Sequence, residues 1–167
     1  MNGVKSIILE GIESPIERGH SGRGRPGAVY QGYKALTNRQ QRVLDMLPEY
    51  DCRAIVRKDQ VSMRDLAVLT AKTGVEFAMF TCGPKRLVVR GDDRRVNVNP
   101  VTAAKLSAHG YKWSGHTHVD LLGGMEFTAS DGDYEVLKVF AQKESVIYNV
   151  DGQYSTFENL LNPNWKR

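Results

Sequence analysis

The residues of this chain whose types and spacing could do chemistry are a histidine pair and a group of aspartates downstream of it. His116 and His118 are two of only four histidines, and one residue separates them. In an extended segment, side chains two residues apart project to the same face, so one metal ion can bind both imidazoles. A third ligand must come from elsewhere, and Asp131 or Asp133, which follow Ser130, is the expected supplier. Two histidines, one carboxylate and one open position make a hydrolytic zinc site.

The same residues also have a purely structural interpretation. A His-x-His pair at the end of a strand can be two exposed polar residues that bind no ligand. Ser130 and Asp133 also match a helix capping box, in which the serine oxygen accepts from the backbone of the third helical residue and the aspartate reaches back. The sequence after Asp133 is apolar at helical spacing, which predicts that a helix begins there. The two interpretations are compatible, because a capped helix start is a rigid platform for a ligand.

The bulk composition is that of one ordinary globular domain. A chain of 167 residues is long enough for one domain with a real core and too short for two comfortable ones. Hydrophobic residues make up 41% and charged residues 25%, which is typical of globular proteins. The net charge of +4 permits a nucleic-acid or acidic partner without arguing for one. Cys52 and Cys82 are too few for a disulfide framework.

The sequence contains no targeting signal that we recognise. No apolar run approaches the length of a membrane span, and the N-terminus lacks the apolar core and cleavage site of a signal peptide. We therefore expect no membrane partner and a cytosol-like compartment, unless the protein is delivered with a phage or as an effector by a system that reads no classical signal.

Caps and periodicity predict a mixture of helices and strands. The predicted helices are 38–47, 62–73, 100–110 and 130–142. The predicted strands are 51–58, 75–81, 86–90, 113–118, 145–149 and 154–157, with hairpins outnumbering strand-helix-strand units. This pattern predicts a single α+β domain, with a mixed, mostly antiparallel sheet flanked by helices. We assign it to residues 36–158, preceded in 1–35 by a strand at 4–10 and a flexible glycine- and arginine-rich loop at 13–27, and followed by a tail at 159–167.

A hydrolytic site also needs a base and a group that stabilises the oxyanion. Glu76 is the candidate base, because it opens an otherwise apolar strand in which a carboxylate has no evident structural use. The alternative is a glutamate at a sheet edge that points into solvent.

The order of these motifs resembles that of the JAMM (MPN) zinc metallopeptidases. Their motif is a glutamate on an early strand, a His-x-His after a later strand, and Ser-x-x-Asp at a helix start. The resemblance covers roughly residues 75–150 and implies a JAMM-like fold. It implies that zinc is bound by His116, His118 and Asp133. It also implies that Glu76 is the general base and that Ser130 is the oxyanion donor.

Two features of this sequence differ from the family pattern. Val119 stands where the family usually has a proline after the second histidine, and the gap between the histidines and the serine is longer than usual. A longer loop is tolerated at little cost. The difference leaves the third ligand open among Asp133, Asp131 and Asp120.

A second resemblance concerns biological context. Residues 76–80, 90–91, 110–118, 130–133 and 145–149 look like an accessory module found at the C-terminal ends of bacterial phage head proteins and polymorphic toxins. This resemblance extends upstream to about Leu36 and implies a mobile-element or toxin context, with a larger phage or toxin protein around the chain.

From these patterns we predict a zinc-dependent hydrolase that cleaves a peptide or isopeptide bond through a metal-activated water, with a peptide or protein as its substrate. A nuclease or phosphoesterase toxin is one alternative, disfavoured because no basic stripe interleaved with aromatics lies near the histidines. The other alternative is a non-catalytic binding module of a phage particle or toxin, in which Val119 is a sign of decay.

Overall fold

The computed structural model describes residues 35–119 and 129–159 and, by their backbone alone, Ile16–Glu17. The helices of this part are α1 (Asn38–Asp45), α2 (Met63–Thr73), α3 (Pro100–Ala108) and α4 (Asp131–Phe140), with a short 3₁₀ turn at Lys58–Gln60. The strands are β1 (Ile16–Glu17), β2 (Arg53–Arg57), β3 (Phe77–Cys82), β4 (Lys85–Arg90), β5 (Arg95–Val96), β6 (Lys112–Thr117), β7 (Glu144–Tyr148) and β8 (Tyr154–Glu158).

Six of these strands form one sheet in the order β2-β4-β3-β6-β7-β8. Neighbouring strands are antiparallel except β6 and β7, which run parallel and pair over two residues. The prediction of an α+β domain with a mixed, mostly antiparallel sheet is confirmed. Strands β3 and β6 lie in the interior of this sheet; Glu76 immediately precedes β3, His116 is in β6, and His118 immediately follows β6.

Side-chain caps begin the four helices. Thr37, Ser62 and Ser130 each complete a capping box, and Asn99 caps α3 with a proline at the first helical position. Gly74 ends α2 in the left-handed conformation, at φ +75°. The helices therefore begin where the sequence predicts them, because a cap is a local signal.

The sheet is covered by helices on both faces. Helices α1 and α2 pack on one face around Phe77 and Met79, and α3 and α4 pack on the other face around Ala78 and Phe80. Successive side chains of a strand point to opposite faces, so the buried first four residues of β3, from Phe77 to Phe80, are all apolar and serve both layers. This double burial explains why β3 reads as a continuous apolar run.

The N-terminal region differs from the prediction at one point. Ile16 pairs with Val96 and Glu17 with Arg95, so the predicted loop at 13–27 is wrong for these two residues. A pairing two residues long has no alternation that a sequence pattern could reveal. The predicted strand at 4–10 and nearly all of the predicted tail lie outside the described residues.

Candidate metal centre

The two histidines lie at the C-terminal end of β6, deep inside the sheet. His116 pairs with Ala78 of β3 on one side and with Ile147 of β7 on the other. His118 follows the strand, and its backbone N–H donates to the carbonyl oxygen of Tyr148 at 2.9 Å. Both histidine side chains are 0% exposed. The interpretation of His-x-His as two exposed polar residues is therefore wrong.

A β-bulge in β6 sets the orientation of the first imidazole. Met79 pairs with Gly115 and Phe80 with Trp113, so Ser114 is an extra residue in β6. The bulge brings Trp113 to the same face as His116, where the two rings stack with their centroids 5.1 Å apart. Packing against the indole restricts how the imidazole can turn, and this is one way a fold holds a ligand ring in place.

A glycine allows β6 to approach β7 at this point. A Cβ atom on Gly115 would lie 2.8 Å from the carbonyl oxygen of Val146 and 3.3 Å from the Sδ and Cε atoms of Met63. The first distance is shorter than real Cβ contacts allow, so any other residue would force the strands apart. The register of His116 against β7 therefore depends on the residue before it being glycine.

Asp133 reaches the histidines from the start of α4. Its Oδ2 atom accepts a hydrogen bond from the backbone N–H of Ser130 at 2.9 Å, and its own N–H donates to Ser130 Oγ at 3.1 Å. The other carboxylate oxygen, Oδ1, lies 3.3 Å from His116 Nε2. Asp131 is exposed, and Asp120 lies outside the described residues. Of the two carboxylates that the structure describes, Asp133 is therefore the one that joins the histidines.

The three side chains lie close enough together to share one metal ion. His116 Nε2 lies 3.1 Å from His118 Nε2 and 3.3 Å from Asp133 Oδ1, and His118 Nε2 lies 3.9 Å from Asp133 Oδ2. Ligand bonds of about 2.0–2.2 Å in tetrahedral geometry separate two ligand atoms by about 3.3–3.6 Å. The two histidine nitrogens are slightly closer than this and the two carboxylate distances go to different oxygens of Asp133, so the group is near this spacing. This fully buried group could hold a metal ion.

The electrostatics of the cluster also favour a cation. The side chain of Asp133 is 0% exposed, and its Oδ1 atom accepts no hydrogen bond from any residue that the structure describes. Burying a carboxylate is costly unless a positive charge or hydrogen bonds compensate for it. The Oδ2 atom accepts the hydrogen bond from the N–H of Ser130, and the Oδ1 atom faces His116. A cation at the point where the three side chains converge would compensate for that charge.

Glu76 is buried, and the alternative of a solvent-facing edge glutamate is wrong. Its side chain is 0% exposed, and β3, which it precedes, has strands on both sides. Strand alternation gives it the same face as Ala78, which pairs with His116. The backbone pairing of β3 with β6 ends at Ala78 and His116, so Glu76 lies beyond it. Glu76 is therefore a buried carboxylate on the face of the sheet to which His116 belongs.

Ser130 is half-buried at the helix start. Its oxygen accepts the capping bond from Asp133, which leaves the hydroxyl proton for another acceptor. The serine thus adjoins the carboxylate of the cluster and retains one hydrogen-bond donor.

Sequence reasoning missed the residue that fastens the far end of α4 to β6. The Gln142 side chain accepts from the backbone N–H of Trp113 at 2.5 Å, and its Nε2 atom donates to the Trp113 carbonyl oxygen at 3.0 Å. The amide takes the role of a missing strand partner, because β7 pairs with β6 only at its C-terminal end. No local pattern distinguishes this glutamine from one in solvent.

Comparisons with protein-family models, with curated proteins and with solved structures find no match to this chain. The likeness to the JAMM metallopeptidases and to phage and toxin modules therefore stays a prediction from motifs. Among the helices of the described residues, none is long and apolar enough to cross a membrane.

Proposed function

We propose that this protein is a zinc-dependent hydrolase that cleaves a peptide or isopeptide bond. The observation that supports this most directly is the convergence of three buried side chains, His116, His118 and Asp133, whose potential ligand atoms lie within 4.8 Å of one another. Nitrogen and oxygen ligands suit zinc, and three protein ligands that leave one position open are typical of catalytic zinc. His116, His118 and Asp133 would hold the ion.

Zinc bound there would supply Lewis-acid chemistry, lowering the pKa of a coordinated water toward about 7 and polarising the scissile carbonyl. The residues of the chain do the rest. Glu76 accepts the proton of the attacking water and passes it to the nitrogen of the leaving amine as the C–N bond breaks. Ser130 donates its hydroxyl hydrogen bond to the oxyanion that forms at the attacked carbon. A buried glutamate on the histidine face supports the first role, and the spare serine proton supports the second.

The test combines metal analysis with hydrolysis assays. Purified without chelator, the protein should contain about one zinc ion per chain by mass spectrometry of metals. It should cleave members of a quenched fluorescent peptide library, or a reporter acylated on a lysine side chain, and a chelator should abolish this activity. Glu76→Gln keeps the size of the side chain but accepts no proton at neutral pH, so it should keep zinc and lose about 10²–10⁴-fold in rate. Glu135→Gln, an exposed change on α4, is the matched control and should behave as the wild type.

The alternatives give different results in the same experiment. Cleavage of a DNA or RNA substrate in place of the peptide probes would favour the nuclease or phosphoesterase. Bound zinc without hydrolysis of any probe would favour the non-catalytic phage or toxin module. Absence of zinc after loading would remove the metal site itself.

A further inference from the structure

The residue between the two histidines makes a contact that joins the strand of the histidines to the backbone beside Glu76. Thr117 is 0% exposed and, by strand alternation, lies on the face opposite the histidines. Its Oγ1 atom accepts a hydrogen bond from the backbone N–H of Phe77 at 2.9 Å. On the same face it lies 2.6 Å from Oγ1 of Thr70 in α2, which is also buried. A side-chain hydroxyl thus continues the hydrogen bonding between β3 and β6 beyond the pair formed by Ala78 and His116.

The peptide group that donates this hydrogen bond is the one that links Glu76 to Phe77. On the side of β4, its carbonyl oxygen accepts from the N–H of Gly91 at 2.7 Å. On the side of β6, its N–H donates to Thr117. One peptide plane is therefore held at both ends, by a turn on one side and by the histidine strand on the other. The orientation of this plane sets the direction of the bond from Cα to Cβ in Glu76.

We propose that Thr117 is a positioning residue, which holds the Glu76–Phe77 peptide against β6 and so fixes the base relative to the two histidines. This inference rests on the proposed function, since it assigns a reason for the alignment of the base. The histidines lie in and just after β6, and the base lies just before β3, so their relative placement depends on bonds between these two neighbouring segments. The backbone N–H of Phe77 supplies the donor and the Thr117 hydroxyl supplies the acceptor.

Two substitutions separate this role from general stabilisation. Thr117→Val keeps the branched shape and removes the oxygen that accepts from Phe77. Thr70→Val is the matched control, because it removes the other hydroxyl of the same buried pair and leaves the Phe77 bond in place. In that control, the Thr117 proton can turn to the Phe77 carbonyl oxygen, which lies 3.4 Å away. Thr117→Ser keeps the hydroxyl and should therefore keep the hydrogen bond from the Phe77 N–H.

The experiment measures zinc content, kcat and KM of the zinc-loaded protein, and hydrogen exchange of the Phe77 amide in the metal-free protein. With Thr117→Val we expect one zinc per chain, an unchanged KM, and a kcat lower by about 10- to 100-fold, the scale of a base misplaced by about 1 Å. The Phe77 amide should exchange faster than in the wild type. Thr117→Ser and Thr70→Val should keep kcat and exchange near the wild-type values.

Several results would overturn the inference. These are an unchanged kcat in Thr117→Val, an equal loss of kcat in Thr70→Val, or loss of zinc from Thr117→Val. If the valine variant does not fold, Thr117→Ser is compared with Thr117→Ala, because these two side chains differ only by the hydroxyl. The alanine variant must then have the lower kcat and the faster exchange of the Phe77 amide. If the zinc-loaded wild type cleaves no probe, the hydrolase proposal fails by itself. Unchanged Phe77 exchange in Thr117→Val would then separately refute the hydrogen-bond clamp.

Discussion

Zinc should stabilise this fold by an amount that can be estimated in advance. The three ligand atoms come from β6, from the residue after it and from the start of α4, so they converge only in the folded chain. A ligand that binds only the folded state stabilises it by about 2.7 kcal/mol when its free concentration is 100 times its Kd. For a chain of this size, one kcal/mol raises the Tm by about 2–4 °C. The expected rise in Tm is therefore about 5–11 °C at that zinc concentration.

The assay is thermal unfolding in zinc buffers of known free concentration, on wild type and two variants. His116→Ala combined with His118→Ala removes both imidazoles and should abolish the rise in Tm. His109→Ala is the control, because His109 is an exposed histidine at the end of α3 whose Nδ1 atom contacts only a backbone carbonyl, at 2.8 Å. It should keep the full rise, since zinc bound weakly at surface histidines contributes little.

Two outcomes would refute the reasoning. If zinc leaves the wild-type Tm unchanged at concentrations up to the solubility limit, the cluster is a hydrogen-bonded histidine pair in the core and binds no zinc. If the double variant shows the same rise as the wild type, zinc binds elsewhere and the cluster is not its site. We expect the Tm to rise with the logarithm of the free zinc concentration in the wild type and in His109→Ala, and to stay constant in the double variant.

Two further changes test the elements that support the site. Ser130→Ala removes a helix cap, at a cost of about 0.5–2 kcal/mol in stability, and also removes the proposed oxyanion donor, at a cost of about 10²–10³ in kcat. Ser62→Ala is the control, because it removes the equivalent cap of α2. It should lower the Tm by a similar amount and leave kcat unchanged. Equal kcat values in the two variants would contradict the catalytic role of Ser130. Gly115→Ala should destabilise the fold by about 1–3 kcal/mol and weaken zinc binding, because its Cβ would collide with the Val146 carbonyl. Denaturant unfolding measures the stability, and zinc titration measures the affinity for zinc. If both equal the wild-type values, β6 and β7 can move apart without cost and the argument from Gly115 is wrong.

The parts of the structure that the sequence predicts are those that depend on local chemistry. Each helix starts at a residue whose side chain bonds the backbone three positions on, and such bonds are visible in the order of residue types. The β3–β4 hairpin follows from the turn at Gly83-Pro84. The histidine pair is local for the same reason, because two residues of spacing in a strand put both side chains on one face.

The parts that the sequence does not predict depend on contacts between distant segments. Spacing alone fits Asp133, Asp131 and Asp120; the family resemblance implies Asp133, but the contact of its carboxylate with His116 depends on how the capping box orients it in the folded chain. The burial of Glu76 follows from the position of β3 in the middle of the sheet, which no pattern within the strand fixes. The bulge at Ser114 arises only where β6 meets β3, so alternation along β6 gives the wrong face for Trp113 relative to His116.

Near the histidines, the fold departs in two ways from the rules that it follows elsewhere. A regular strand has no extra residue, yet β6 carries a bulge at Ser114. A stable core avoids carboxylates, yet Glu76 and Asp133 are both fully buried there. Burying a carboxylate is costly unless hydrogen bonds or a positive charge compensate for it. Local rules are broken together mainly at functional sites. Their concentration around the ends of β3 and β6 is the reason to seek the chemistry of this protein at His116, His118 and Asp133.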